Sequence, residues 1–253
     1  MEVKMINPHK TCFIFDVDGT LSKPRQKVKQ NHKDFFINWA RNKQCFIATG
    51  SDFVKVREQI DIDMLNCFKK IYCCMGNEAR NPNGFITRQN HFIIPDDLNL
   101  DLENFIRNSL FEYRTGRHLE IRTGMVNFSI VGRNATQEQR KEYYEWDKNV
   151  GERLKMASFI NDMYPYLEAS VGGSISIDII KKGCDKGQVV HHLQGSGAEK
   201  IVFVGDKCFP GGNDYGIIRE LKNTSMKFDW YNVSSPNETY KLIKENNIFS
   251  EEE

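Results

Sequence analysis

Short apolar runs that alternate with helical periods set the outline of the chain. Near the N-terminus the strand signal Cys12–Phe15 leads through a loop into a helical period over about Asn31–Lys43. The short apolar strand "CFIATGSD", a second helix over about Phe53–Ile60 and a third strand "IYCCM" follow. The rhythm returns late in the chain, with a helix near Lys186–Leu193, the strand "KIVFVGD", a helix after Asn213, a short strand around Met226 and a terminal helix from about Pro236. Strands spaced by helices in this way predict a parallel sheet with crossover helices, an α/β class.

Between these stretches the period changes. "NPNGFITRQNHFII" reads as a hairpin turning at Asn83-Gly84, and a helix is expected near Leu100–Tyr113. Strands "LEIR" and "MVNFSIVG", helices over about Thr136–Asn149 and Glu152–Met163, and strands "LEASVG" and "SISIDII" follow. Hairpin-like strands beside helices predict an α+β unit inserted into the α/β unit, placed at 81–183, with 1–80 and 184–253 forming the core. Alternation puts Val126, Phe128 and Ile130 on one face and Asn127, Ser129 and Arg133 on the other; Ile175, Ile177 and Ile179 likewise oppose Ser174, Ser176 and Asp178.

At 253 residues and 40% hydrophobic content the chain can bury a real core. Its 35 basic and 34 acidic side chains nearly cancel, which argues against nucleic acid or an anionic membrane as partner, so any phosphate-binding charge must be local. With no charged-then-apolar leader and no apolar run near the ~20 residues that span a bilayer, the expected location is cytoplasmic. The seven cysteines include no C-x-x-C pair and read as reduced, buried thiols, with Cys73 and Cys74 on opposite faces of a strand.

The chemistry begins where the first strand stops, in "FIFDVDGTL". In open α/β sheets ligands sit beyond the carboxyl ends of the strands, and Asp16 and Asp18 lie at that edge. Two carboxylates so close need positive charge to be held there, and oxygen-only ligands favour a hard cation such as Mg²⁺. Either residue could instead cap a loop, but three distant features point the same way. "VGDKCFPGGNDYG" ends another strand in Asp206, with Asp214 eight residues on; Lys186 in "CDKG" is a point cation; "ATGSD" offers the hydroxyls of Thr49 and Ser51.

Together these motifs resemble the haloacid dehalogenase superfamily of phosphotransferases. The resemblance implies a Rossmann-like core with an inserted α+β cap. It makes Asp16 the nucleophile and Asp18 the acid/base, Ser51 or Thr49 and Lys186 the phosphoryl holders, and Asp206 and Asp214 metal carboxylates alongside Asp16 and Asp18. The segments "DVDGTLSKPRQ", "RTGMVNFSIVGRNATQEQR" and "GGSISIDII" further resemble the eukaryotic-type phosphomannomutases, across nearly the whole chain and in order. That resemblance implies substrate contacts from Arg25, Arg122, Arg133, Arg140, Ser176 and Asp178. It also implies interconversion of mannose 6-phosphate and mannose 1-phosphate for GDP-mannose synthesis, a hexose 1,6-bisphosphate as activator beside Mg²⁺, small hexose phosphates as ligands, and a homodimer through the caps. Two other readings stay open. A Mg²⁺-dependent sugar-phosphate phosphatase of the same superfamily would need a cap that orients only one monophosphate, and a non-catalytic sugar-phosphate sensor would need neither Asp16 nor Asp18.

Overall fold

The computed structural model describes residues 11–246 and 249. In chain order it runs β1 (Thr11–Phe15), α1 (Gln30–Ala40), β2 (Gln44–Ala48), α2 (Phe53–Gln59), the single turn α3 (Ile62–Leu65), β3 (Phe68–Cys73), β4 (Glu78–Arg80) and β5 (Ile86–Gln89). Next come α4 (Asp96–Asn108), β6 (Leu119–Arg122), β7 (Met125–Phe128), α5 (Gln137–Val150), α6 (Glu152–Met163), β8 (Leu167–Gly172) and β9 (Ser176–Lys181). The chain returns through α7 (Gln188–Gln194), β10 (Lys200–Gly205), α8 (Tyr215–Asn223), β11 (Lys227–Asn232) and α9 (Pro236–Glu245).

Two sheets result. A seven-stranded sheet has the order β11-β10-β1-β2-β3-β4-β5, parallel from β11 to β3 and antiparallel at β3–β4 and β4–β5. A separate antiparallel sheet has the order β6-β7-β9-β8. The architecture is the expected one, an α/β core plus an α+β cap. The hairpin at Asn83-Gly84 forms, and its second strand, β5, pairs with β4 at the edge of the large sheet.

The apolar run of β1 is explained by its two faces. Phe13 and Phe15 join Phe36 and Phe68 in one cluster, while Cys12 and Ile14 join Val189, Ile201 and Ile217 in another on the far side. Each such side chain removed from water contributes about 2 kcal/mol, so no polar residue fits between Cys12 and Phe15. Asp16 is the first residue past the strand, and Val17 beyond it turns back into the cluster of Phe13 and Phe15. In the cap, Val126, Phe128, Ile130, Ile175, Ile177 and Ile179 pack on Tyr143, Met156 and Ile160, as alternation predicts. The opposite cap face looks toward the core: Met125 and Ile180, paired across β7 and β9, belong to the same cluster as Phe13 and Phe15.

Some boundaries differ from the expectation. Helix α4 spans Asp96–Asn108 rather than Leu100–Tyr113. Asp96 and Asp97 favour an early start beside the helix dipole. Past Ser109 the chain folds around Arg114, whose guanidinium donates to the carbonyls of Ile106, Ser109 and Phe111. Strand β7 stops at Phe128, and the chain turns at Gly132 (φ +80°), where a side chain would lie 1.9 Å from the Thr115 carbonyl oxygen. That turn sends Arg133 back toward the cleft. Strand β11 is a full six residues, Lys227–Asn232. Cys73 and Cys74 do not alternate: Cys74 leaves the strand at φ 52°, and both thiols bury in one cluster.

Candidate active site

The core sheet places its acids by strand order. Strand β1 lies between β10 and β2, so the chain leaves it on one side and returns on the other, opening a crevice at the carboxyl ends. Asp16 follows β1, Asp206 follows β10, and Thr49–Ser51 follows β2. Asp214 sits at the start of α8, held by its Oδ2 accepting the Lys207 backbone N–H at 2.9 Å. Lys186 arrives two residues before α7 and is fully buried. Its Nζ donates to Asp16 Oδ1 at 2.7 Å and to Asp214 Oδ1 at 2.6 Å. Burial alone would lower the Lys186 pKa, but Asp16 and Asp214 more than reverse this and hold the ammonium charged.

Burial, reinforced by Asp214 and Asp206, pushes the Asp16 carboxyl well above its ordinary range in spite of Lys186. One oxygen each from Asp16, Asp206 and Asp214 lies within 4.8 Å of the others, and Asp206 Oδ1 is buried without a hydrogen-bond donor. An all-oxygen set that is crowded with negative charge and keeps an orphaned buried oxygen fits a hard divalent cation. Asp18 stands apart from the three, its Oδ2 accepting from Ser51 Oγ at 3.1 Å. Ser51 N donates to Thr49 Oγ1 at 3.1 Å, so Thr49 shapes the loop and the Ser51 hydroxyl faces Asp18. Gly19 (φ +90°) passes so close to Asp206 that a side chain there would sit 2.5 Å from Oδ2.

The cap supplies the facing wall. The floor and wall enclose a cavity of about 610 Å³ lined by Asp16, Asp18, Ser51, Arg25, Arg133 and Arg140 among others. Arg25 is exposed on the loop after β1 at φ 59°, a strained backbone for a side chain of that size. Arg140, buried on α5, donates from Nε to the Ala135 carbonyl (3.1 Å) and from Nη2 to the Arg133 carbonyl (3.4 Å). Burial, with Arg25 nearby, lowers both Arg133 and Arg140 to about 10. Excess buried positive charge of this kind suits an anion. Arg122 is placed differently: it reaches past the wall to the core, with Nη1 on the Gly50 carbonyl and Nε on Glu120.

Asp178 and Ser176 stand side by side on the cap face that meets the core. Asn127 Nδ2 bridges them, at 2.6 Å to Asp178 Oδ1 and 3.1 Å to Ser176 Oγ, leaving its own Oδ1 buried and unpaired. Asp178 approaches the catalytic loop, where a methyl added to Gly50 would lie 3.1 Å from Oδ2. The residues singled out in the sequence border one cleft, except Lys186 and Asp214, which are fully buried beneath its floor, where Lys186 joins Asp214 to Asp16. Three that were not singled out also reach it: Lys207, whose Nζ bonds Asp206 Oδ2 at 2.8 Å, and the pair Lys55 and Glu120. Lys207 follows Asp206 directly, and Glu120 is a lone acid two residues from Arg122, so proximity was their available signal.

A core sheet parallel from β11 to β3 with an inserted antiparallel cap is a haloacid dehalogenase-type fold. A solved haloacid dehalogenase-like hydrolase from Bacteroides thetaiotaomicron superposes with a TM-score of 0.55 at 14% identity, covering 94% of this chain and 99% of that one. A sugar phosphatase of subclass IIB gives 0.56 at 15% identity with the same coverage, and both likenesses concern the fold alone.

Sequence comparison goes further. Residues 32–250 match the model of the eukaryotic phosphomannomutase family. The chain is 34% identical over 245 residues to the phosphomannomutase of Saccharomyces cerevisiae (93% of this chain, 94% of that protein), and 30% identical over 246 residues to phosphomannomutase 1 of Dictyostelium discoideum (94% and 96%). The chain belongs to the eukaryotic phosphomannomutase family, and its fold and enzyme class follow from that membership. No helix among the described residues is long and apolar enough to cross a membrane.

Proposed function

We propose that the chain interconverts mannose 6-phosphate and mannose 1-phosphate, uses a hexose 1,6-bisphosphate as activator and Mg²⁺ as cofactor, and supplies mannose 1-phosphate for GDP-mannose synthesis. The observation that carries this reading is a pair of opposed poles in one cavity: Asp16 and Ser51 on the floor, with Lys186 buried directly behind Asp16, and Arg25, Arg133 and Arg140 on the wall. A phosphatase needs only the first pole, whereas a mutase must hold one phosphate remotely while the other end of the sugar reacts.

In this reading Asp16 attacks a phosphoryl group of the bisphosphate, the bond from phosphorus to the sugar oxygen breaks, and Asp18 gives that oxygen its proton. Once Asp16 carries the phosphoryl group as an acyl phosphate, the negative charge lies on the phosphoryl oxygens. Lys186, now on Asp16 Oδ1 and Asp214 Oδ1, is the cation placed to follow it while keeping Asp214. For the return step Asp18 takes the proton of the attacking sugar hydroxyl, with Ser51 Oγ already in reach to steady it. Asp16, Asp206 and Asp214 would hold the Mg²⁺, with Asp18 available nearby as the fourth expected carboxylate, and the ion when bound would neutralise charge on the transferring phosphoryl group. Arg25, Arg133 and Arg140 grip the unreacting phosphate, and Ser176 and Asp178 receive sugar hydroxyls.

The proposed working units are a catalytic core of 1–80 and 184–253 and a cap of 81–183, in which β5 is the part attached to the core sheet. The homodimer through the caps belongs to the same reading. Leu100, Phe159 and Met163, exposed on α4 and α6, give that surface apolar area. The deciding experiment is a coupled assay of purified protein with mannose 6-phosphate, with and without glucose 1,6-bisphosphate. Activator-dependent mannose 1-phosphate is expected; steady release of inorganic phosphate with no 1-phosphate would overturn the proposal in favour of a phosphatase.

A further inference from the structure

One carboxylate joins three cations at the mouth of the cleft. Glu120, on the edge strand β6, accepts from Arg122 Nε (2.7 Å) and Lys55 Nζ on Oε1, while its Oε2 forms an ion pair with Arg133, 3.0 Å from Nε but without a hydrogen bond. The three partners come from different places. Lys55 is on core helix α2, Arg122 shares β6, and Arg133 follows the turn at Gly132. The ion pair draws the Arg133 guanidinium toward Glu120 without a hydrogen bond from Nε, and Nη2 donates to the Asn127 carbonyl at 3.5 Å, so the group stays at the cavity with donors to spare. The same carboxylate, through Lys55 and through Arg122 to the Gly50 carbonyl, fastens the cap to the core beside the Ser51 loop.

We infer that Glu120 is a positioning residue with two tasks: it orients Arg133 for the remote phosphate, and with Lys55 it latches the cap shut over the aspartyl phosphate. This rests on the mutase reading above. The latch matters because water that enters can attack the phosphorus of phospho-Asp16, breaking the Asp16 O–P bond and releasing inorganic phosphate in place of transfer to the sugar.

The test uses the full chain with mannose 1-phosphate and glucose 1,6-bisphosphate, measuring KM, kcat and inorganic phosphate released per turnover. Glu120→Gln should raise KM about tenfold or more, change kcat less than KM, and increase phosphate release. Lys55→Met should increase phosphate release while keeping KM within about threefold, because Arg133 still has its carboxylate. The double variant should leak no more than Glu120→Gln alone, since both substitutions open one latch.

A Glu120→Gln enzyme with wild-type KM and wild-type leakage overturns the inference, as do leakages that multiply in the double variant. Should Glu120→Gln fail to fold, Glu120→Asp and Lys55→Met carry the same test. The first must raise KM and the second must raise leakage, and the absence of either effect overturns the inference. Wild-type protein that forms no hexose 6-phosphate at all defeats the mutase reading instead, which keeps the two failures distinct.

Discussion

The floor of the cavity and its cap wall solve the same problem with opposite signs. On the floor, acids outnumber the cations that touch them: Asp16, Asp206 and Asp214 converge while Lys186 and Lys207 supply the countercharge. At the wall, Arg122 and Arg133 from the cap and Lys55 from core helix α2 converge on Glu120, and among the described residues Arg140 donates to backbone carbonyls alone. Each cluster is incomplete by itself. The floor suits a cation and the wall an anion, so the proposed metal ion and hexose phosphate would complete both at once. The floor is built largely from residues that follow strands of the large sheet, whereas most of the wall rides on the separate antiparallel sheet and helix α5.

The sharpest way to separate the two regions is at the nucleophile. Asp16→Asn should abolish mannose 1-phosphate formation, by about 10⁴-fold or more, and leave no acid-stable, hydroxylamine-sensitive phosphoenzyme. Full turnover in that variant would sink the assignment of the floor.

Next in size is Lys186→Met, which removes the cation between two buried carboxylates and should cost about 3–5 kcal/mol of stability, read by urea unfolding. Millimolar Mg²⁺ should recover more of the midpoint in this variant than in wild type. An unchanged midpoint without metal would show that the floor does not depend on its lysine.

The wall should behave otherwise. Arg140→Ala is expected to raise KM by about 10- to 100-fold, the worth of a charge-assisted bond to phosphate, with little change in thermal midpoint. A large loss of stability with unchanged KM would make Arg140 part of the cap's packing instead.

The smallest effect concerns pH. Burial alone would raise the Glu120 carboxyl, but Arg122, Lys55 and Arg133 outweigh that and draw it down from 4.5 to about 2. A folded-state value below the unfolded one contributes stability that is fully present above about 4.5 and is lost as pH falls through about 2. Unfolding of wild type and Glu120→Gln should therefore differ most above pH 4.5 and converge toward pH 2. Curves that stay parallel across that range would remove Glu120 from the acid response.

Much of this was legible in the sequence, for physical reasons. Continuous apolar runs such as "FIF" and "KIVFVG" admit few environments, so the core strands and the acids that end them could be placed. Alternation in "SISIDII" separated the packed isoleucines from Ser176 and Asp178 in the same way. What could not be read was set by contacts distant in sequence. The end of α4 depends on Arg114 filling carbonyls behind it, and the stop of β7 depends on Gly132 meeting Thr115. Arg122 belongs here too: its motif groups it with Arg133, but only folding shows that it spends two donors on Glu120 and Gly50. Lys55 and Glu120 stand 65 residues apart, on core helix α2 and cap strand β6, and carry no local pattern that joins them.

The strand order also has a consequence for biosynthesis. Lys186 stands 170 residues after Asp16, and β1 pairs on one side with β2 and on the other with β10. At about 5–20 residues per second, roughly 10–30 s pass between translation of the nucleophile and translation of its lysine. During that interval β1 presents an open edge beside uncompensated carboxylates, while the cap residues are still emerging from the ribosome. Nascent chains halted before Lys200 should be cut by protease within β1 and β2, and chains extended through β11 should resist.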